Sequence, residues 1–184
     1  MALAGTHVTA DEFLAIPPGD RRYQLIDGEI VVNEPKLTHQ RAVGIIHARL
    51  FAWVEAEPGR GYVGLPADIR VDDANVYAPD VWWVGEARRP RPEDDFLSGL
   101  PDLAIEVRSP STWRRDRTVK RDRYERAGLP ELWLVDTVTA TVTVLTRPAP
   151  GQPFGPPHEV RERGAVTSAQ LPGFQLALPD LFGS

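Results

Sequence analysis

Six short β-prone runs crowd residues 61–146, and two of them are apolar except for a single carboxylate. Residues 61–64, 67–71, 76–84, 103–107, 132–135 and 139–146 are bounded by turn formers and rich in β-branched, aromatic or aliphatic side chains. Asp72-Asp73-Ala74-Asn75 supplies the turn between the second and third runs. Residues 38–57 follow a different period. There Val43, Ile46, Leu50, Trp53 and Val54 fall on one stripe of an amphipathic helix that Pro58-Gly59 ends. A second helix is predicted from a cap at 109–112 to about Ala127, with Gly128 at its left-handed terminus. Strands interleaved with helices of these lengths predict an α/β fold, a central mixed sheet flanked by helices.

The ends of the chain extend this pattern. Residues 8–16 read as a short helix, started by Thr9 with Glu12 three residues on and stopped at Pro17-Pro18. Asp27-Gly28 lies between two β-prone runs in 22–32, the strongest short-range hairpin signal a sequence can carry. Residues 88–95 read as a loop rich in proline and charge, 147–157 as a Pro-rich excursion, and 159–182 as a strand or two plus a closing turn. No internal repeat is present, and 184 residues suit one domain over 1–184, with a core and hairpin at 7–146 and a β-rich tail at 147–184. No apolar run approaches the roughly 20 residues of a membrane span, and the N-terminal segment lacks the pattern of a secretory signal, so a cytoplasmic protein is expected.

Composition narrows the chemistry. The chain has no cysteine, which excludes disulfides, thiolate metal sites and cysteine nucleophiles and leaves oxygen, imidazole and amine chemistry. A net charge of -5 argues against a general nucleic-acid coat. Against that background Asp80, within 76–84, and Glu106, within 103–107, are anomalous. An ionised carboxylate buried in an apolar strand costs several kcal/mol unless it is paired, on the order of the penalty for a buried ion. Two such carboxylates suit a hard divalent cation, which takes oxygen ligands and keeps several waters. They equally suit strand ends paired with the many arginines.

Lysine is rare in this chain. Of 21 basic residues only Lys36 and Lys120 are lysine, the side chain whose proton can be moved by burial. Lys120 lies in 114–126, where seven basic side chains face three acidic ones, and it shares a helix face with Asp116 and Tyr124. That run reads either as a meeting place for phosphate or as a solvated helix laced with Arg–Asp pairs. His39 and His47 sit on the 38–57 helix, eight residues apart and so on roughly adjacent faces. Trp113, beside the basic helix, can stack on a base or pack into a core.

Arg22-Tyr-Gln-Leu-Ile-Asp-Gly-Glu29, Tyr77-Ala-Pro-Asp-Val81, Pro101-Asp-Leu-Ala-Ile-Glu-Val-Arg-Ser-Pro-Ser111, Lys120 with Tyr124, and Gly128-Leu-Pro-Glu-Leu-Trp-Leu-Val-Asp136 follow one another in the chain. In order and spacing they resemble the Uma-type restriction endonuclease family, a branch of the PD-(D/E)XK nuclease superfamily, over residues 8–182. The resemblance implies a restriction-endonuclease-like fold and a Mg²⁺-dependent endonuclease acting on DNA, with Mn²⁺ as an alternative ion. It implies that Asp80 and Glu106, with the carbonyl of Val107, hold the metal. The superfamily's motif lysine would stand where this chain has Arg108, and Lys120 on the following helix matches the place to which this branch moves it. Arg108, Arg117, Tyr124 and His39 are then candidate partners of the substrate phosphate. Where relatives commonly read Tyr-Glu-Leu this chain has Gln24, which leaves a carboxylate role at that hairpin to Glu29 or to none. Cutting both strands implies a homodimer. Two other readings stay open, a catalytically silent nucleic-acid-binding or regulatory protein on the same fold, and a hydrolase of another phosphate ester.

Overall fold

The computed structural model describes residues 7–16, 23–32, 36–91, 97, 99–110 and 113–183. The chain opens with helix α1 (Ala10–Leu14), where Thr9 and Glu12 close a reciprocal capping box. Strands β1 (Tyr23–Ile26) and β2 (Glu29–Val32) form the expected hairpin, with Asp27 and Gly28 at φ of +48° and +76°, the left-handed pair its two-residue turn requires. Helix α2 (Leu37–Glu55) buries Val43, Ile46, Leu50 and Val54 of the predicted stripe, while Trp53, its fifth member, is half-buried against the same core. The stop at Pro17-Pro18, residues 92–95 of the predicted loop and residues 111–112 of the predicted cap lie outside the described residues.

The middle strands are β3 (Tyr62–Gly64), β4 (Ile69–Asp72), β5 (Asn75–Tyr77), β6 (Val81–Val84) and β7 (Leu103–Val107). The run expected as a single strand over 76–84 is therefore two strands in two sheets, broken at Ala78-Pro79-Asp80. Pro79 has no N–H to give to a ladder, so it suits a crossing from one sheet to the next. Asp80 thus precedes β6 and does not lie within a strand.

The helix expected up to Ala127 is also interrupted. It comprises α3 (Trp113–Arg115), a π-helical turn at Asp116–Lys120 and α4 (Arg121–Ala127), and it ends at Gly128 with φ +93°. Thr118 Oγ1 donates to the Arg114 carbonyl at 2.7 Å inside the widened turn. Strands β8 (Glu131–Asp136) and β9 (Thr141–Thr146) follow, then β10 (His158–Val160), β11 (Ala165–Val166), β12 (Leu176–Ala177) and helix α5 (Leu178–Phe182). Strand β9 begins two residues later than expected. Asp136 Oδ1 instead accepts the N–H groups of Val138 and Thr139 and caps the turn before it.

The larger sheet has the order β10-β9-β8-β7-β6-β3, with β7 and β8 parallel and its other neighbours antiparallel. The α3–α4 segment is the crossover that a parallel pair needs. One face packs α2 and the C-terminal segment around Ile105, Trp133 and Val135, and the other packs Tyr124 and Leu129 against Ala104, Leu132 and Leu134. The second sheet, β2-β1-β5-β4, brings Ile26 and Tyr77 to that latter face. Among the described residues no helix is long and apolar enough to cross a membrane.

Candidate active site

The site is built on register. Val81 pairs with Ile105, so Asp80 stands opposite Glu106, and the row continues across the sheet to Leu134, Thr143 and Glu159. Directly opposed residues share a face, and on this row the face is the one covered by α4. Asp80 and Glu106 are 5% and 3% exposed, and among the described residues their side-chain partners are His39 for Asp80 and Lys120 and Tyr124 for Glu106, in place of the arginine pairing at strand ends that the sequence also allowed. Asp80 Oδ2 accepts the N–H of Val107 at 2.8 Å, which fixes the carboxylate against the end of β7. Gln24 Oε1 accepts the N–H of Ala78 at 3.3 Å and steadies the Ala78-Pro79-Asp80 crossing from the hairpin side. Glu29 lies elsewhere, 3.3 Å from Arg115.

Lys120 enters from the π-helical turn and is fully buried. Its Nζ lies 2.8 Å from Glu106 Oε1, 3.2 Å from Asp116 Oδ1 and 5.3 Å from the centre of the Tyr77 ring. Tyr124, one turn on, donates its hydroxyl to the same Glu106 oxygen at 3.0 Å. Among the described residues both partners of Glu106 thus fall on Oε1. The Tyr77 ring meets Tyr124 edge-on at 5.2 Å, and its hydroxyl donates to Asn75 at 2.8 Å. Asn75 also accepts the Asp27 N–H and donates to Asp72, so a single buried amide ties two turns of the smaller sheet to the wall of the site.

Three of the sequence candidates converge with Asp80 and Glu106: Lys120, Tyr124 and His39, whose Nε2 is 3.1 Å from Asp80 Oδ1. Arg108 and Arg117 do not join this cluster. Arg108 grips both Asp136 oxygens at 2.9 Å, and Arg108 and Arg117 lie 5.8 and 5.9 Å from the Trp113 ring. Trp113, Arg117, Leu134, Asp136, Thr141 and Thr143 line a cavity of about 530 Å³ on the same sheet face. Other arginines of the basic run hold the hairpin: Arg123 lies 2.7 Å from Asp27, and Arg115 meets Glu29. Asp116 belongs to the buried cluster. Its sequence signal was its place four residues before Lys120.

Electrostatics follow from burial. Desolvation, with Asp116 and Asp80 nearby, pushes the Glu106 carboxyl up to about 8 from 4.5, partly offset by Lys120. Burial works against the Lys120 ammonium, but Asp116 and Glu106 more than offset it and hold its pKa above the ordinary lysine range. Burial, then Glu106, raises the Tyr124 hydroxyl as well. The Glu106 shift has a defined sign for stability. The folded state keeps a proton that the unfolded chain has released, so this group lowers stability as pH rises from about 4.5 to about 8. Buried Glu131 acts in the same direction and His47 in the opposite one, so the comparison is made against Glu106→Gln. In metal-free buffer the variant should match wild type at pH 5 and exceed it by about 1 kcal/mol or more at pH 8.5, read from urea midpoints. A constant difference between the two pH values would contradict the assignment.

When fully ionised, Asp80, Glu106 and Asp116 share one ammonium, an excess of negative charge that suits a divalent cation. Among the described residues no three His, Asp or Glu side chains already stand together as a metal site. The donor set nonetheless fits an oxygen-seeking ion that completes its shell with water and substrate.

The family model described as "Putative restriction endonuclease", Uma2, matches residues 10–179. The chain belongs to the Uma2 family. Its fold is similar to that of "a putative nuclease belonging to DUF820 from Anabaena variabilis ATCC 29413", with a TM-score of 0.81 and 23% identity over 96% of this chain and 98% of that one. No curated protein matches. The Uma2 match spans every element of the site, from α2 through Asp80 and β7 to α4.

Proposed function

We infer that this Uma2 protein is a metal-dependent endonuclease hydrolysing DNA phosphodiester bonds. The observation that carries the reading is the convergence of two opposed carboxylates, one just before β6 and one in β7, with a buried lysine from the next helix. Asp80, Glu106 and the Val107 carbonyl would hold Mg²⁺, or Mn²⁺. Such an ion polarises the scissile phosphate and lowers the pKa of the attacking water. Lys120, held between Glu106 and Asp116, orients that water or stabilises charge developing on the phosphate oxygens. Tyr124 pins Glu106 Oε1, so Oε2 would be the oxygen offered to the ion. Arg108 and Arg117, flanking Trp113 beside the cavity, meet flanking phosphates. The enzyme acts in the cytoplasm as one nuclease domain, and as a homodimer where both strands are cut.

Supercoiled plasmid incubated with the protein and Mg²⁺ or Mn²⁺ should be nicked, and EDTA should stop the reaction. Salt-sensitive DNA binding with no nicking under either ion would overturn this reading and favour a silent, nucleic-acid-binding protein on the same fold.

A further inference from the structure

His39 stands in the first turn of α2, and its ring reaches Asp80. Its side chain is 5% exposed, and among the described residues neither ring nitrogen has a hydrogen-bond partner. Leaving buried polar atoms unpaired costs on the order of 1–3 kcal/mol each, so such a residue needs an explanation. The 3.1 Å approach of Nε2 to Asp80 Oδ1 is close, but it lacks the alignment of an N–H···O hydrogen bond. A proton shared between these atoms would have to point along the line joining them, and here it does not.

The separation has another meaning. In an octahedral shell with bonds of about 2.1 Å, neighbouring ligand atoms lie about 3 Å apart. Nε2 and Oδ1 already stand at that spacing, and Asp80's other oxygen is anchored by the Val107 N–H.

We propose that His39 is a protein ligand of the divalent ion through Nε2, adjacent to Asp80 Oδ1, and that it makes this a mixed nitrogen–oxygen site selecting Mn²⁺ over Mg²⁺. The assignment rests on the metal-dependent reading above and deepens it. Imidazole is a common ligand for first-row divalent ions, whereas Mg²⁺ is suited to oxygen donors alone. His39 therefore supplies selectivity, and the carboxylates supply charge.

The test is electron spin-echo modulation of Mn²⁺ bound to the full chain, which reads nitrogen coordinated directly to the ion and needs no turnover. Wild type should show ¹⁴N coupling that converts to the ¹⁵N pattern when histidine is ¹⁵N-labelled, a readout that needs no mutation. His39→Ala should abolish the coupling and weaken Mn²⁺ binding by calorimetry on the order of tenfold or more, with Mg²⁺ affinity changed less. Bound Mn²⁺ without nitrogen coupling, or coupling that survives in His39→Ala, would overturn the ligand assignment and leave the nuclease reading standing. Coupling present but plasmid intact would keep His39 as a ligand and remove the nuclease reading. No Mn²⁺ binding at all would overturn both.

Discussion

Asp80→Asn should leave a folded protein that no longer nicks plasmid DNA. The amide oxygen can still accept the Val107 N–H that Asp80 Oδ2 accepts at 2.8 Å, so the end of β7 stays in place. The charge, however, is gone. A metal ligand contributes several kcal/mol of transition-state stabilisation, and each 1.36 kcal/mol is tenfold in rate, so a loss of about a thousandfold or more is expected. The rate should be measured with saturating Mg²⁺ and separately with Mn²⁺, beside a melting curve showing wild-type stability. Retention of activity within about tenfold of wild type would remove Asp80 from the site.

Lys120→Ala is expected to damage both the fold and the chemistry. Its ammonium is the cation lying between Glu106 Oε1 and Asp116 Oδ1, at 2.8 and 3.2 Å, with all three side chains almost wholly buried. Removing one member of a buried ion pair leaves an uncompensated charge and costs about 3–5 kcal/mol. For a chain of this size that corresponds to a fall of roughly 10 °C in Tm. Nicking should also be lost at temperatures where the variant is still folded. Lys120→Arg should not rescue it, because the planar guanidinium cannot occupy the space of a compact ammonium packed over Tyr77. A variant with near wild-type Tm and activity would show that the lysine is dispensable.

How much of this was legible in the sequence depends on the range of the interaction. The Asp27-Gly28 hairpin, the α2 stripe and β7 came from local patterns, and each stands where those patterns put it. Asp80 and Glu106 stood out because a lone carboxylate in an apolar run is costly wherever the chain goes. The break at Ala78-Pro79-Asp80 was hidden by the apolar residues on both sides, although Pro79 marked it. The π-helical turn had no clear local signal. Its Asp116, Lys120 and Tyr124 spacing suits an ordinary helix face, and only packing against the sheet reveals the wider turn.

Through-space partners were harder still. Arg108 shares the sheet face of Glu106, as alternation required, but its capture by Asp136 depends on β8 running parallel to β7. Gln24 departs from the usual Tyr-Glu-Leu, and its contact with Ala78 follows from the pairing of β1 with β5. His39's approach to Asp80 joins the start of α2 to the sheet crossing, 41 positions apart in the chain.

Metal-dependent cleavage by this chain requires Asp80 and Glu106 to share one ion. A crystal of the wild-type protein soaked in Mn²⁺ and measured at the manganese absorption edge locates that ion directly. The predicted result is one anomalous peak within about 2.2 Å of an oxygen of each carboxylate, with Lys120 Nζ still bonded to Glu106. A peak bound to only one of the two acids, or an ion seated elsewhere while Asp80 and Glu106 remain as they are, would contradict it.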